Sequence, residues 1–382
     1  MTSPSIFTCQ RHLFDIPADV TYLNAAYMSP ILKETAALGQ MSVAKKMHPW
    51  DITVPDFFDP PNRACALMAQ MIGAGCDDVA LIPSVSYGAA IAVRNLPVRA
   101  GQKILVLADQ FPSNVYPWQE MAQRLGAQVV TIPRPENGDW TTPLCAAIDQ
   151  DTAIVACAQA HWTDGSRVDL IAVGRRCRQQ GAALVLDLTQ SLGVMPFSVG
   201  EVDPDFMIVA TYKWLLGPYS YGFIYVAPRH QGGVPLEEGW IARKDADDFA
   251  RLVDYQPAYQ PGAGRFNMGE RSNFMLTPMA IHGLERLNGW GVEAIAEYLS
   301  TLTDMIAARA QDMGLTVADR AHRSPHLIGL NFADGAPDGL TVALAERKIF
   351  VSVRGNSIRV SPHIYNDIRD VEKLFSALEN LL

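Results

Sequence analysis

From about residue 78 the chain alternates short, nearly unbroken apolar runs with segments whose apolar positions recur at helical spacing. The runs are DVALIP (78–83), KILVLA (103–108), QVVTI (128–132), AIVACA (153–158), ALVLDL (183–188), DFMIVA (205–210) and GFIYVA (222–227). A strand that is apolar at every position, rather than at every second one, has both faces covered. Strands alternating with helices then imply right-handed crossovers and a mostly parallel sheet between two helical layers. The intervening helices are read from SVSYGAAIAV, SNVYPWQEMAQRLGA, TPLCAAIDQ and DLIAVGRRCRQQGA, the last ending at Gly181. GFIYVA follows its predecessor too closely for a helical crossover, so it is expected to run antiparallel.

Residues 228–275 are irregular and rich in glycine, proline and charge, and the texture changes after them. Helices at about 278–288 and 292–313 precede the shorter strands HLIGLNF (326–332), IFVSVRG (349–355) and SIRVS (357–361), and DIRDVEKLFSALENLL closes the chain as a helix. The fold class is therefore α/β, a large sheet domain over residues 15–260 with a smaller α+β domain from 1–14 and 261–382.

Composition adds mainly exclusions. The 382 residues are 49% hydrophobic and 19% charged, an ordinary soluble balance. A net charge of −9 argues against a protein that grips nucleic acid or an anionic membrane. The six cysteines form neither a CxxC nor a zinc-spaced Cys/His cluster, so no metal site is expected and they read as reduced thiols. The opening MTSPSIFTCQRHLFDIPADV lacks the basic start and apolar run of a signal peptide, and no apolar stretch reaches membrane-helix length. The expected compartment is the cytoplasm. No GxGxxG or GxxxxGK[ST] loop supports a nucleotide-binding reading, and no basic helix-turn-helix suggests a regulator.

Four features sit at strand ends, where open α/β sheets bind ligands. Lys213 lies in TYKWLLGP between two apolar strands; a buried amine can lose its proton and attack a carbonyl, though a lysine there can equally snorkel to solvent. Asp187 ends ALVLDL, where a carboxylate needs a cation or caps a turn. Ser84-Val85-Ser86 joins a strand to a helix, a place for a phosphate or for a plain N-cap. Phe111 follows KILVLA and could stack on a flat ring or plug the core. Together they match pyridoxal 5′-phosphate, which needs an amine for its Schiff base, a carboxylate for its ring nitrogen, a phosphate cradle and an aromatic face.

LDLTQSLGVMP, TYKWLLGP and IRVSPHIYN, in that order, resemble the class V aminotransferase-type enzymes of fold type I, which include cysteine desulfurases, kynureninases and isopenicillin-N-epimerase-like proteins. The resemblance runs from about residue 22 to 366. It implies that Lys213 carries the cofactor and that Asp187 pairs with its ring nitrogen. Gln190 would lie near the phenolic oxygen, and Val85, Ser86 and Tyr212 would hold the phosphate. Phe111 would stack on the ring, Arg359 would take the substrate α-carboxylate, and Asn24 would be near the substrate. Arg359 could otherwise be a surface ion pair, and Asn24 a turn residue.

The resemblance also implies a homodimer in which 265-RFNMGERSNF-274 of one subunit completes the other's site. Glu270 stands where the family often has the threonine of a Gly-Thr pair, which leaves Arg271 or Ser272 as substitutes. Trp162 replaces a desulfurase asparagine, Tyr212 a histidine, and no cysteine follows Cys177, so a persulfide mechanism of the desulfurase kind is not expected. The expected activity is amino transfer from a small α-amino acid to a keto acid acceptor. The alternatives are a β-lyase cleaving C–S or C–C bonds and an amino-acid epimerase.

Overall fold

The computed structural model describes residues 7–382, so the first six residues of the segment expected to join the small domain lie outside it. A short strand β1 (Thr21–Tyr22) and two helices, α1 (Lys33–Lys45) and α2 (Val54–Ile72), come before the sheet. Neither helix is among the elements that the apolar pattern predicts. In α2 the Pro60-Pro61 pair reads as a breaker, yet the helix runs through it. Two features outweigh the prolines. Thr53 and Asp56 form a reciprocal capping box, and Ala64, Leu67, Met68 and Ile72 bury one face before Gly73 ends the helix at φ 69°.

The predicted rhythm then appears strand by strand: β2 (Val79–Ile82), α3 (Val85–Asn95), β3 (Lys103–Leu107), α4 (Tyr116–Leu125), β4 (Gln128–Ile132), α5 (Thr141–Ala147), β5 (Thr152–Ala158), α6 (Leu170–Gln180), β6 (Ala183–Asp187), α7 (Val199–Val202), β7 (Phe206–Ala210) and β8 (Gly222–Val226). The seven strands form one sheet in the order β2-β8-β7-β6-β5-β3-β4. All neighbours are parallel except β8, which is antiparallel to both β2 and β7. Alternate residues of one strand enter different cores. Leu105 and Leu107 join the core that holds α2 and α6 residues, whereas Ile104 and Val106 join the one that holds α3 and α4 residues. Burial on both faces is why these strands read as continuous apolar runs.

Strand order reverses beside β3: the chain steps outward from β3 to β4, then returns to the other side of β3 as β5. The crevice for a ligand in such a sheet lies at this switch point, outside the carboxyl ends of the strands. The loops leaving β3 and β5 carry Phe111 and Trp162.

Beyond the sheet come α8 (Thr277–Trp290), α9 (Val292–Asp312), β9 (Ile328–Asn331), α10 (Leu340–Glu346), β10 (Ile349–Phe350), β11 (Ser352–Arg354), β12 (Ser357–Val360) and α11 (Ile368–Glu379). The run expected as one strand over 349–355 is two. Its first part, β10, pairs in parallel with β1, and β11 pairs antiparallel with β12, which also pairs with β9. A change of partner within one apolar run leaves no mark on its hydrophobic pattern. The bridge between Asn24 and Ser361 extends the contact between the N-terminal segment and this region.

Candidate active site

Lys213 is held by a tight loop after β7. Leu216 N–H donates to the Lys213 carbonyl, and Gly217 N–H donates to the Thr211 carbonyl at 3.0 Å. The Thr211 hydroxyl donates to the carbonyls of Pro218 and Tyr221. Leu216 is left-handed at φ 54°, strain of the kind found at functional sites in a branched residue. A Cβ on Gly217 would stand 2.6 Å from Thr211, and one on Gly283 of α8 would stand 2.8 Å from the Leu215 carbonyl oxygen. Both glycines thus allow a close approach around the lysine loop.

The Lys213 side chain is 6% exposed, and its amine has no hydrogen bond or ion pair among the described residues. Burial pushes its pKa down to about 8; the Asp187 charge opposes this, while Arg359 and Arg354 assist. The free amine is therefore the minor form well below pH 8 and the major form above it. Covalent attachment of added pyridoxal phosphate to cofactor-free protein is expected to accelerate as pH rises through about 8 and then level off. Absorbance followed over pH 6–10, on the order of two units either side of that value, checks this. A rate that is flat across that range would mean Lys213 is not the attacking amine.

Asp187, at the carboxyl end of β6, is also buried. Its Oδ1 accepts the Thr189 N–H at 3.0 Å, and Thr189 is the one residue that hydrogen-bonds the carboxylate among the described residues. Burial raises its pKa, while the Thr189 bonds and the Lys213 charge pull the other way. A buried carboxylate with a spare oxygen suits a cationic ring N–H.

Next to it, Gln190 is locked at both ends. Its Nε2 donates to the Ala26 carbonyl at 3.0 Å, and its Oε1 accepts the Trp214 indole N–H at 2.9 Å. An indole can only donate, so the amide orientation is fixed and one Nε2 hydrogen is left over. Trp214 is itself fully buried between His326 and His363.

Val85 opens α3, with Ser84 as its cap, the Ser84 hydroxyl accepting the Tyr87 N–H at 3.2 Å. Ser86 is exposed, its hydroxyl touching only that of Ser84 at 3.1 Å. The helix start thus offers N–H donors and a positive dipole end, as a phosphate requires. The Phe111 and Tyr212 rings each lie 5.4 Å from the Lys213 amine. Burial pushes the Tyr212 hydroxyl up to about 12, which keeps it a donor.

Val85, Phe111, Asp187, Gln190, Tyr212 and Lys213 line one pocket; Ser86 is not part of that lining, though it follows Val85 directly in α3. Arg359 and Asn24 belong to an adjoining network instead of that lining. Arg359 Nη1 donates to the Trp162 carbonyl at 2.8 Å and its Nε to Ser352 Oγ at 3.2 Å, and Ser352 Oγ donates to Asn24 Oδ1 at 3.0 Å. The side chain is 1% exposed, its Nη2 has no partner, and no carboxylate pairs with it among the described residues. This excludes the surface ion pair considered for it.

The structure also adds residues to the site. Gln110 and Thr189 line the pocket, and Trp162 closes it edge-on to Phe111, with ring centroids 5.5 Å apart. Thr189 is signalled by the Asp-x-Thr turn; Gln110 carries no signal of its own. In the segment considered for a partner subunit, Arg271 donates to Asn62 and Ser272 to the Phe57 carbonyl, so both side chains are engaged within their own chain.

The fold is that of the fold type I pyridoxal phosphate enzymes. The apo cysteine desulfurase of Thermococcus onnurineus superposes with a TM-score of 0.85 at 18% identity, covering 100% of this chain and 99% of that one. A C-DES mutant with glycine covalently linked to its pyridoxal phosphate superposes at 0.86 and 16% identity, covering 97% and 99%. At such identities the likeness is one of fold.

The chain belongs to the class-V aminotransferase family, whose model matches residues 62–374, and is a pyridoxal phosphate enzyme. A kynureninase of Deinococcus radiodurans is 29% identical over 307 residues, 77% of this chain and 72% of the relative. An uncharacterized aminotransferase of Bacillus subtilis, YcbU, is 28% identical over 304 residues, 78% of this chain and 77% of the relative. Among the described residues no helix is long and apolar enough to cross a membrane, and no cluster of potential metal ligands occurs.

Proposed function

We propose that the enzyme transfers the amino group of an α-amino acid to a 2-oxo acid, with Lys213 as its base. The observation that carries this reading is the Lys213 amine, buried with no hydrogen-bond or ion-pair partner among the described residues and feeling the charges of both the Asp187 carboxylate and the Arg359 guanidinium. When bound, pyridoxal phosphate supplies an electron-withdrawing ring that makes the substrate's α-proton removable. The residues fit that group: Asp187 would hold its ring nitrogen, Phe111 its face, and Val85, Ser86 and Tyr212 its phosphate, with Gln190 aiming its remaining hydrogen at the phenolic oxygen.

Arg359 would orient the substrate by its α-carboxylate, since its planar fork suits a bidentate grip. Lys213 Nζ would take the α-proton. Amino transfer then asks for one base that accepts a proton and returns it. Elimination asks in addition for help at the departing group. Among the pocket-lining residues the titratable side chains are Asp187, Tyr212 and Lys213, and the first two are committed to the cofactor in this reading. That favours amino transfer, and the similarity to YcbU agrees with it. The kynureninase relative supports a β-lyase as the second reading.

A panel of amino acids assayed with and without an added 2-oxo acid decides between them. Product formation that requires the oxo acid is expected. Ammonia, thiol or a cleaved side chain released without it would replace amino transfer by the lyase, and a change of optical configuration alone would replace it by epimerisation.

A further inference from the structure

The hairpin that carries Arg359 carries a second arginine that the reading above leaves unused. In β11–β12, Ser352 lies opposite Arg359 and Arg354 opposite Ser357. Residues two apart on a strand share a face, so Ser352, Arg354, Ser357 and Arg359 all project from one side of this ribbon. Arg354 and Arg359 are diagonal neighbours there, with Cα atoms roughly 7–8 Å apart. Gly355, at φ 55°, starts the two-residue turn that sets this register.

Arg354 makes no ion pair among the described residues. Its guanidinium lies over the Trp162 ring, 5.5 Å from the centroid, and its Nη1 donates to its neighbour's carbonyl on Val353 at 2.7 Å. Trp162 is the wall shared by the Lys213 pocket and a larger cleft of about 920 Å³, which Arg354 also lines. Acidic groups are present in that cleft. Asp109 and Asp164 are taken by Arg134, at 3.2 and 2.5 Å, and Glu136 and Asp319 do not pair with Arg354. Two unpaired guanidinium groups on one face repel each other, and burial disfavours both charges. The Trp162 stack holds Arg354 beside the site in spite of this.

We propose that Arg354 reads a second carboxylate, on the side chain of the substrate, so that the enzyme works on dicarboxylic amino acids or dicarboxylic 2-oxo acids. A short dicarboxylate has two charges whose separation suits two guanidinium heads on diagonal positions. The α-carboxylate would go to Arg359, deep in the wall, and the distal one to Arg354 at the mouth of the wider cleft. The proposal rests on the amino-transfer reading for its substrates, but its binding test does not.

Holoenzyme of the wild type and of Arg354→Gln and Arg354→Lys is titrated calorimetrically with succinate, which cannot react, and with propionate. Wild type is expected to hold succinate about 10–100-fold more tightly than propionate, the range of one charge-assisted contact, with Arg354→Gln losing most of that preference and Arg354→Lys keeping part of it. Kinetics then locate the second carboxylate. Aspartate and glutamate are compared with asparagine and glutamine as donors, and dicarboxylic with monocarboxylic 2-oxo acids as acceptors. Collapse of the kcat/KM ratio in Arg354→Gln in either arm supports the proposal and names which substrate carries the charge. Equal succinate affinity in wild type and Arg354→Gln overturns it. Succinate discrimination without amino transfer would instead overturn the reaction and leave Arg354 its role.

Discussion

Lys213→Ala is expected to lower turnover by at least about 10³–10⁴-fold, since it removes both the covalent anchor of the cofactor and the base. The amine is the one basic group among the residues lining the pocket, so no neighbour can take over. Borohydride treatment of the wild type should add the mass of the reduced cofactor at Lys213, and the variant should gain none at any lysine. The fold should survive. The lysine makes no hydrogen bond or ion pair among the described residues, and burying its charge costs stability. Since burial lowers its pKa, that cost is present in full below about pH 8 and fades as pH rises toward the ordinary lysine value. Lys213→Met keeps the volume of the stem and removes the charge, so at pH 7 it should melt no lower than wild type. Borohydride labelling at a different lysine, or turnover that survives the substitution, would remove Lys213 from the centre of the site.

The sheet was legible because each of its strands is buried on both faces, so composition alone marks it. Even the antiparallel β8 announced itself, by the shortness of the link from β7. Helix α2 was not legible, because Pro60 and Pro61 are strong local signals that its capping and one buried face outweigh. The splitting of residues 349–355 into β10 and β11 depends on two partners distant in sequence, β1 and β12. The site shows the same division. Lys213, Asp187 and Phe111 end or follow apolar strands, so their positions could be read from the pattern. How the residues beside them are oriented could not. Gln190 has its orientation fixed by Trp214 and by the Ala26 carbonyl, one 24 residues and the other 164 residues away. Arg354 gains its meaning only from the register of a hairpin and from the indole of Trp162 beneath it.

Arg359→Ala is expected to raise KM for α-amino acids by roughly 10²–10³-fold, the cost of losing one partner of a buried charge pair. Amines without a carboxyl group should be affected far less, and an equal effect on both would cancel the assigned role. The same side chain should act on stability in the opposite direction. In the free protein it is a buried cation whose Nη2 has no partner, and burial pushes its pKa down to about 9, helped by the Arg354 charge. Burying that charge costs stability in full below about pH 9, and the cost fades only as pH rises from there toward the ordinary arginine value. Arg359→Met, which fills the volume and carries no charge, should therefore melt at pH 7 no lower than wild type, despite freeing the Trp162 carbonyl and Ser352 from their donor. A substrate analogue with one carboxylate should raise the melting temperature of wild type and leave that of Arg359→Met unmoved. The two measurements separate a binding arginine from a structural one. A structural arginine would lower the melting temperature when replaced, and the ligand would still stabilise what remained.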